Sequence, residues 1–242
     1  MTFHIITLFP QSFDSYLSES ILKRAQEDGI ISIKCYNPRD FAKAAKKSKT
    51  MTYAERRVDD KPYGGGPGMV IEALPVVRAI DDAVGTKIKT AAGKRSVKII
   101  FFSPSGKLCD NAYAKSIANK YTDIVLVCGR YEGIDARVKK IFKMEDVSVG
   151  PFVLTGGELP AMVIIDTVSR QIKGVLGDIN SLEENRVAST DVYTRPEVIE
   201  YKKKRYHVPK VLLSGNHKLI EEWKTNINTK ASTKAATRTR PR

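Results

Sequence analysis

Three glycine-rich stretches and one charged pair are the parts of this chain whose residue types and spacing suit chemistry. The first stretch is Tyr63-Gly-Gly-Gly-Pro-Gly-Met69. Glycines remove side-chain bulk, so a backbone can approach a flat or anionic ligand. No Gly-Lys-Ser/Thr follows, which excludes a P-loop, and the spacing is not that of a dinucleotide fingerprint. A tight structural turn is the alternative. The second stretch, Cys128-Gly-Arg-Tyr-Glu-Gly-Ile-Asp135, directly follows the most apolar strand-like run. Gly129 would clear space at a strand end, and Glu132 offers acceptors to hydroxyl or amino groups. Alternatively Arg130, Glu132 and Asp135 form a surface ion-pair cluster. The third, Val149-Gly-Pro-Phe-Val-Leu-Thr-Gly-Gly-Glu-Leu-Pro160, leads into an apolar helix. Its backbone groups suit the polar edge of a purine, with Phe152, Val153 and Leu154 enclosing the ring faces. A buried crossover fits the same residues equally well.

On the helix that follows, Asp166 and Arg170 are four apart and share a face among Met162, Val163, Ile165 and Val168. They read either as a structural ion pair or as an arginine that reaches a developing negative charge. His4, His207 and His217 are too dispersed for a metal triad, and a Ser-His-Asp reading lacks a nucleophile elbow. No metal ligand set is expected.

The elements that must position these loops alternate between strand and helix. Phe3–Phe9, Ile30–Tyr36, Val97–Phe102 and Asp123–Cys128 read as strands. Ser12–Asp28, Leu74–Val84, Asn111–Lys120, Ile134–Phe142 and Gly157–Ile172 read as helices, the first stopped by Gly29. This alternation argues for an α/β fold with a largely parallel sheet covered on both faces. Ligands of such sheets bind at the carboxyl ends of the strands. The expected organisation is an α/β domain over 1–177, a polar linker over 178–190 and a small helical domain over 191–242 with a basic tail. Thr194 and Glu197 have capping-box spacing, and Asn216 suits a helix cap.

Composition sets the outer bounds. The chain has 242 residues, 42% hydrophobic and 28% charged, which excludes a mainly disordered or fibrous protein. No apolar run approaches the roughly 18 residues that span a bilayer, and the first residues read as a strand rather than a signal peptide. Cys35, Cys109 and Cys128 are scattered, so a disulfide framework is not expected and a reducing cytoplasm is. A net charge of +14 favours a polyanion as partner, nucleic acid before membrane.

Taken together, the motifs resemble those of the bacterial tRNA (guanine-N1)-methyltransferases that modify guanosine 37. The matching stretches are Ile6–Pro10, Pro38–Asp40, Val58–Met69, Ser103–Gly106, Val127–Asp135, Thr155–Met162, Asp166–Arg170, Gly174–Gly177, Tyr193–Val198 and Val211–His217, in family order. The resemblance implies a SPOUT-type fold with a deep trefoil knot, working as a homodimer on the tRNA anticodon stem-loop. It implies S-adenosylmethionine as methyl donor. Its pocket would be formed by Phe102, Ser103 and Pro104, by Gly129, Tyr131 and Glu132, and by Val149, Gly150, Pro151, Phe152, Val153, Leu154, Gly156, Gly157 and Pro160. The Tyr63–Met69 loop would lie beside the target guanine, and Arg170 matches the family's catalytic arginine. The sequence leaves open whether a divalent ion assists.

The chain also departs from the family. The family's linker aspartate, the proposed base, aligns with Asn185, whose amide cannot accept the proton. Glu184 and Asp191 are the neighbouring carboxylates that would serve instead. Pro151 stands where the family often has Asp. Residues Phe41–Arg57 are longer and more basic than usual, and the chain's last residues, Lys224–Arg242, carry six basic residues and no acid. The expected rivals are a SPOUT enzyme acting on another RNA site and a non-catalytic RNA-binding protein.

Overall fold

A computed structural model describes residues 1–42, 57–85, 96–177 and 191–225. Five parallel strands form its main sheet: β1 (Thr2–Ile6), β2 (Ser32–Tyr36), β5 (Val97–Leu108), β6 (Asp123–Val127) and β7 (Glu145–Ser148). Their order is β2-β1-β6-β5-β7. Two short strands, β3 (Asp59–Asp60) and β4 (Val70–Ile71), pair antiparallel apart from it.

The sequence of β6 explains its central place. All five of its residues are buried, which requires cover on both faces. Successive side chains point to opposite faces of a strand. Ile124 and Leu126 accordingly join Phe3, Ile5 and Ile100 in one core layer, under helices α2 (Ser20–Glu27), α4 (Asn111–Lys120) and α6 (Glu158–Ser169). Val125 and Val127 face the other layer, filled by α3 (Ala73–Val84) and α5 (Ala136–Phe142). The α/β expectation with a parallel, doubly covered sheet holds. Caps fix two of the helices: the Asp110 carboxylate accepts from Tyr113 N at 2.7 Å, and Asp135 from Arg137 N at 2.9 Å.

Several boundaries differ from expectation. The helix expected over Ser12–Asp28 is a 3-10 turn (Pro10–Phe13), α1 (Asp14–Leu17) and α2. The break falls at Ser18-Glu19-Ser20, where Ser20 takes a φ of 49° and serine is a weak helix former. Strand β7 was not expected, because Glu145 and Asp146 make a short run look polar. β5 is longer than expected: its pairing with β7 jumps from Phe102↔Val147 to Lys107↔Val147, so Ser103–Gly106 loops outward from the strand.

The chain divides into two compact units, Met1–Leu176 and Gly177–Arg242. The expected linker, 178–190, lies outside the described residues. The second unit is not purely helical. Its described part contains an antiparallel hairpin, β8 (Val198–Tyr201) and β9 (Lys204–His207), then α7 (Lys210–Leu213) and a helix over 217–225. No helix starts at the Thr194–Glu197 capping-box spacing; the Glu197 carbonyl accepts from Val208 N at 2.9 Å beside the hairpin. Asn216 does cap, accepting from Leu219 N at 3.3 Å. Among the described residues no helix is long and apolar enough to cross a membrane.

Candidate active site

The carboxyl ends of β5, β6 and β7 open into one cleft of about 330 Å³, within the range of small-molecule sites. Three loops wall it. Ser103 and Pro104 come from the outward excursion of β5, Gly129–Gly133 follow β6, and Val149, Gly150 and Phe152–Gly157 follow β7. Of the expected pocket residues, Phe102, Ser103, Pro104, Gly129, Tyr131, Glu132, Val149, Gly150, Phe152, Val153, Leu154, Gly156, Gly157 and Pro160 line this cleft. Pro151 does not; it is exposed outside the lining. Phe101, Arg130, Gly133, Val147, Ser148 and Thr155 line the cleft without having been expected.

The loops are locked to each other by backbone. Gly157 N donates to Gly129 O at 3.0 Å, and Arg130 bridges Gly156 as an isolated antiparallel pair. A Cβ on Gly157 would stand 2.6 Å from Cys128 Cα, so only glycine lets α6 start against the end of β6. Gly129 is different. A Cβ there would meet nothing closer than the Phe101 ring at 3.5 Å, an ordinary contact. The protein's own packing does not require glycine at 129, and its bare backbone instead faces the cleft. Together with the exposed apolar Phe152, Val153 and Leu154, this fits a flat ligand sandwiched by apolar side chains.

Two further features mark the cleft as more than a gap. Tyr131 holds a φ of 59°, a conformation costly for a non-glycine residue and concentrated at functional sites. The Tyr63–Met69 loop also reaches the cleft wall. Glu132 N donates to Met69 O at 3.0 Å, and a Cβ on Gly68 would stand 2.6 Å from Glu132 Oε1. The first and second glycine stretches are therefore neighbours, with Glu132 between them.

Beneath the cleft lies a carboxylate that the sequence reading missed. Glu158, the first residue of α6, is 3% exposed. Its Oε1 accepts from the Thr7 hydroxyl at 2.9 Å, and its Oε2 lies 3.0 Å from Arg130 Nε. The Arg130 guanidinium in turn sits 4.8 Å from the centre of the Phe9 ring. The Ile6–Pro10 motif is thus tied to the loop after β6 and to the start of α6. An acid at the start of an otherwise apolar helix was the available signal. Cys128 is buried beside this group; burial, with Glu158 nearby, pushes its thiol well up, which keeps it protonated and unreactive.

Of the expected catalytic residues, Arg170 does not line the cleft of its own chain. Arg170 is half-buried just past the carboxyl end of α6. The segment beyond it lies at the amino ends of the strands: Ile172 borders a recess with Met1, Thr2 and Asp123, and Gly174 approaches Ile30. Asp166 accepts a hydrogen bond from the Tyr16 hydroxyl, and Arg170 N donates to Asp166 O at 3.1 Å. Asp191 is exposed in the second unit. Glu184 and Asn185 lie outside the described residues. Among the described residues no group of three His, Cys, Asp or Glu is placed to hold a metal ion.

A parallel α/β sheet with a glycine-walled cleft at its carboxyl ends defines a small-molecule-binding α/β domain joined to a basic second unit. The family model described as tRNA (Guanine-1)-methyltransferase TrmD matches residues 1–241. The tRNA (guanine-N(1)-)-methyltransferase of Clostridioides difficile (strain 630) is 43% identical over 228 residues, covering 93% of this chain and 90% of that protein. The enzymes of the same name from Thermomicrobium roseum and Photobacterium profundum are each 43% identical, over 93% and 91% of this chain and 77% and 82% of their own lengths. The chain belongs to the tRNA (guanine-1)-methyltransferase family.

Proposed function

We propose that this protein transfers a methyl group from S-adenosylmethionine to N1 of guanosine 37 in tRNA, as a cytoplasmic homodimer. The observation that carries the reading is the assembly of the three strand-end loops into one cleft with an open backbone at Gly129. S-adenosylmethionine supplies an electrophilic methyl group on a sulfonium. The loop backbone at Gly129 and Val149–Leu154 would hold its adenine between apolar side chains. Glu132, between the cleft and the Tyr63–Met69 loop, would face the junction of donor and target base.

Guanine N1 carries a proton near neutral pH, so a base must remove it as the new bond forms. Negative charge then grows on O6, where a guanidinium stabilises it. Arg170 has that chemistry but stands about 18 Å, twelve residues of helical rise, from the Glu158 end of α6. It must serve the partner's cleft. On α6, the exposed Leu159 and Val163 share one helical face with Asp166 and Arg170. Packing two such faces about a twofold axis perpendicular to α6 would run the helices antiparallel and bring each Arg170 to the cleft end of its partner. With Asn185 unable to act, Asp191 is the base we favour, with Glu184 the alternative.

The return of 149–157 across the ends of β5 and β6, before α6 packs on α4, also supports the trefoil-knotted path that the resemblance implies. Methyl incorporation into tRNA transcripts with and without guanosine at position 37 tests the function. Incorporation that depends on that guanosine is the expected result. Equal incorporation into both transcripts indicates another RNA site, and none indicates a binding protein. Single-turnover rates of Asp191→Asn and Glu184→Gln across pH then identify the base: the affected variant is slow at neutral pH and partly recovers at high pH.

A further inference from the structure

The β8–β9 hairpin breaks a local rule at its tip. Tyr201 pairs with Lys204, so the turn between the strands is two residues long: Lys202 and Lys203. Both have left-handed backbones, with φ of 52° and 62°. Two-residue hairpin turns favour Asn-Gly or Asp-Gly at these positions, because a Cβ makes the left-handed region costly. Among the described residues, Lys203 gains no hydrogen bond or ion pair in return, and Lys202 only approaches the Tyr201 ring, 5.3 Å from its centre. Where a sequence departs from local preference with no structural gain, function is the expected reason.

The rest of the hairpin says what that function handles. Lys202, Lys203, Lys204 and Arg205 are consecutive and all exposed. Directly opposed residues share a face, so Ile199, Tyr201, Lys204 and Tyr206 lie together on one side. Both tyrosines are exposed, at 61% and 45%, and the Lys204 ammonium sits 5.3 Å from the centre of the Tyr206 ring. Glu200 is the one acid in the hairpin, opposite Arg205 on the other side. Lysines interleaved with exposed aromatic rings suit phosphates flanked by stackable bases.

We propose that the β8–β9 hairpin is an RNA-docking probe, its strained lysine tip kept to contact tRNA phosphates while the tyrosine face meets adjacent bases or sugars. This rests on the proposed tRNA function and adds which element of the second unit grips the RNA. The full-length protein tests it. Lys202→Asn/Lys203→Gly removes two charges and installs the preferred turn. Its thermal midpoint should equal or exceed the parent's, while tRNA binds at least several-fold more weakly. The slope of log Kd against log salt should shrink by about 0.7–0.9 for each phosphate no longer neutralised. Lys202→Arg/Lys203→Arg keeps the charge and should keep the slope, and Tyr201→Ala/Tyr206→Ala should weaken binding with the slope unchanged. A Lys202→Asn/Lys203→Gly protein that binds tRNA with parental Kd and slope overturns the proposal while leaving the methyltransferase reading standing. A parent that binds no tRNA sinks both.

Discussion

Arg130 and Glu158 form a charge pair across the floor of the cleft, Nε to Oε2 at 3.0 Å, in which neither atom makes an aligned hydrogen bond. The contact is therefore coulombic rather than directional. The directional partner of Glu158 is Thr7, whose hydroxyl donates to the other carboxylate oxygen and accepts from Phe9 N at 3.0 Å. Glu158 holds the loop after β1 by a hydrogen bond and the loop after β6 by charge.

Removing that carboxylate strands a buried hydroxyl and a partly buried guanidinium. Glu158→Ala should lower stability by about 1–3 kcal/mol, the range for unsatisfied buried polar groups. Glu158→Gln preserves an acceptor for Thr7 and should lose less. Urea unfolding of the two variants checks the order; equal midpoints would mean that the Thr7 bond contributes nothing.

Gly129 and Gly157 sit on adjoining loops yet should respond in opposite ways. A methyl on Gly157 collides with Cys128 backbone at 2.6 Å, so Gly157→Ala should unfold earlier than the parent. A methyl on Gly129 meets only ordinary contacts at 3.5 Å and beyond, so Gly129→Ala should fold with little loss. Its cost should appear in S-adenosylmethionine affinity, and Gly129→Val should lose more. Calorimetric titration beside thermal melts separates the two; a folded Gly129→Val with parental affinity would remove this loop from the donor site.

Glu145 anchors the edge strand β7 between the Lys98 ammonium, 2.5 Å away, and the Tyr113 hydroxyl, 2.8 Å away. Burial pushes its carboxyl up, but those two groups outweigh it and hold the pKa below the ordinary 4.5. A carboxyl with a lower pKa folded than unfolded contributes its stability in full above about 4.5 and loses it as pH falls through the folded value. Glu145→Gln should therefore be less stable than the parent at neutral pH, with the gap closing below that value. Thermal melts from about pH 3 to 7 measure it; a gap that does not change with pH would mean that the charge plays no part.

The helices and the central sheet were legible because their signals are local. Asp110 caps Asn111–Lys120 within its own turn, and the apolar run of β6 needs no partner to announce burial. The cleft was legible because close approach demands glycine at several strand ends. The β8–β9 hairpin was hidden because its turn carries two lysines instead of the residues that signal one. β7 was hidden because Glu145 and Asp146 find their partners, Lys98 and Lys139, elsewhere in the chain. The distance of Arg170 from its own cleft was derivable in principle. A helix following a parallel strand starts at the sheet's carboxyl end, so a residue at its far end is carried away from any ligand there.

That geometry gives the sharpest test of the proposed dimer. If Arg170 works in the partner's cleft, an Arg170→Ala chain still has a sound cleft, and a Gly129→Val chain still has a sound arginine. Each homodimer alone should be nearly inactive. In a mixed dimer, the sound cleft of the Arg170→Ala chain receives the arginine of the Gly129→Val chain, which restores one site of two. Random exchange makes about half the dimers mixed, so mixing equal amounts should recover about a quarter of parental activity. An arginine acting within its own chain predicts no recovery, because every chain then lacks either its cleft or its arginine. Subunit exchange must be confirmed with differently tagged chains. Mixed dimers that form and stay inactive would place Arg170 outside the partner's chemistry.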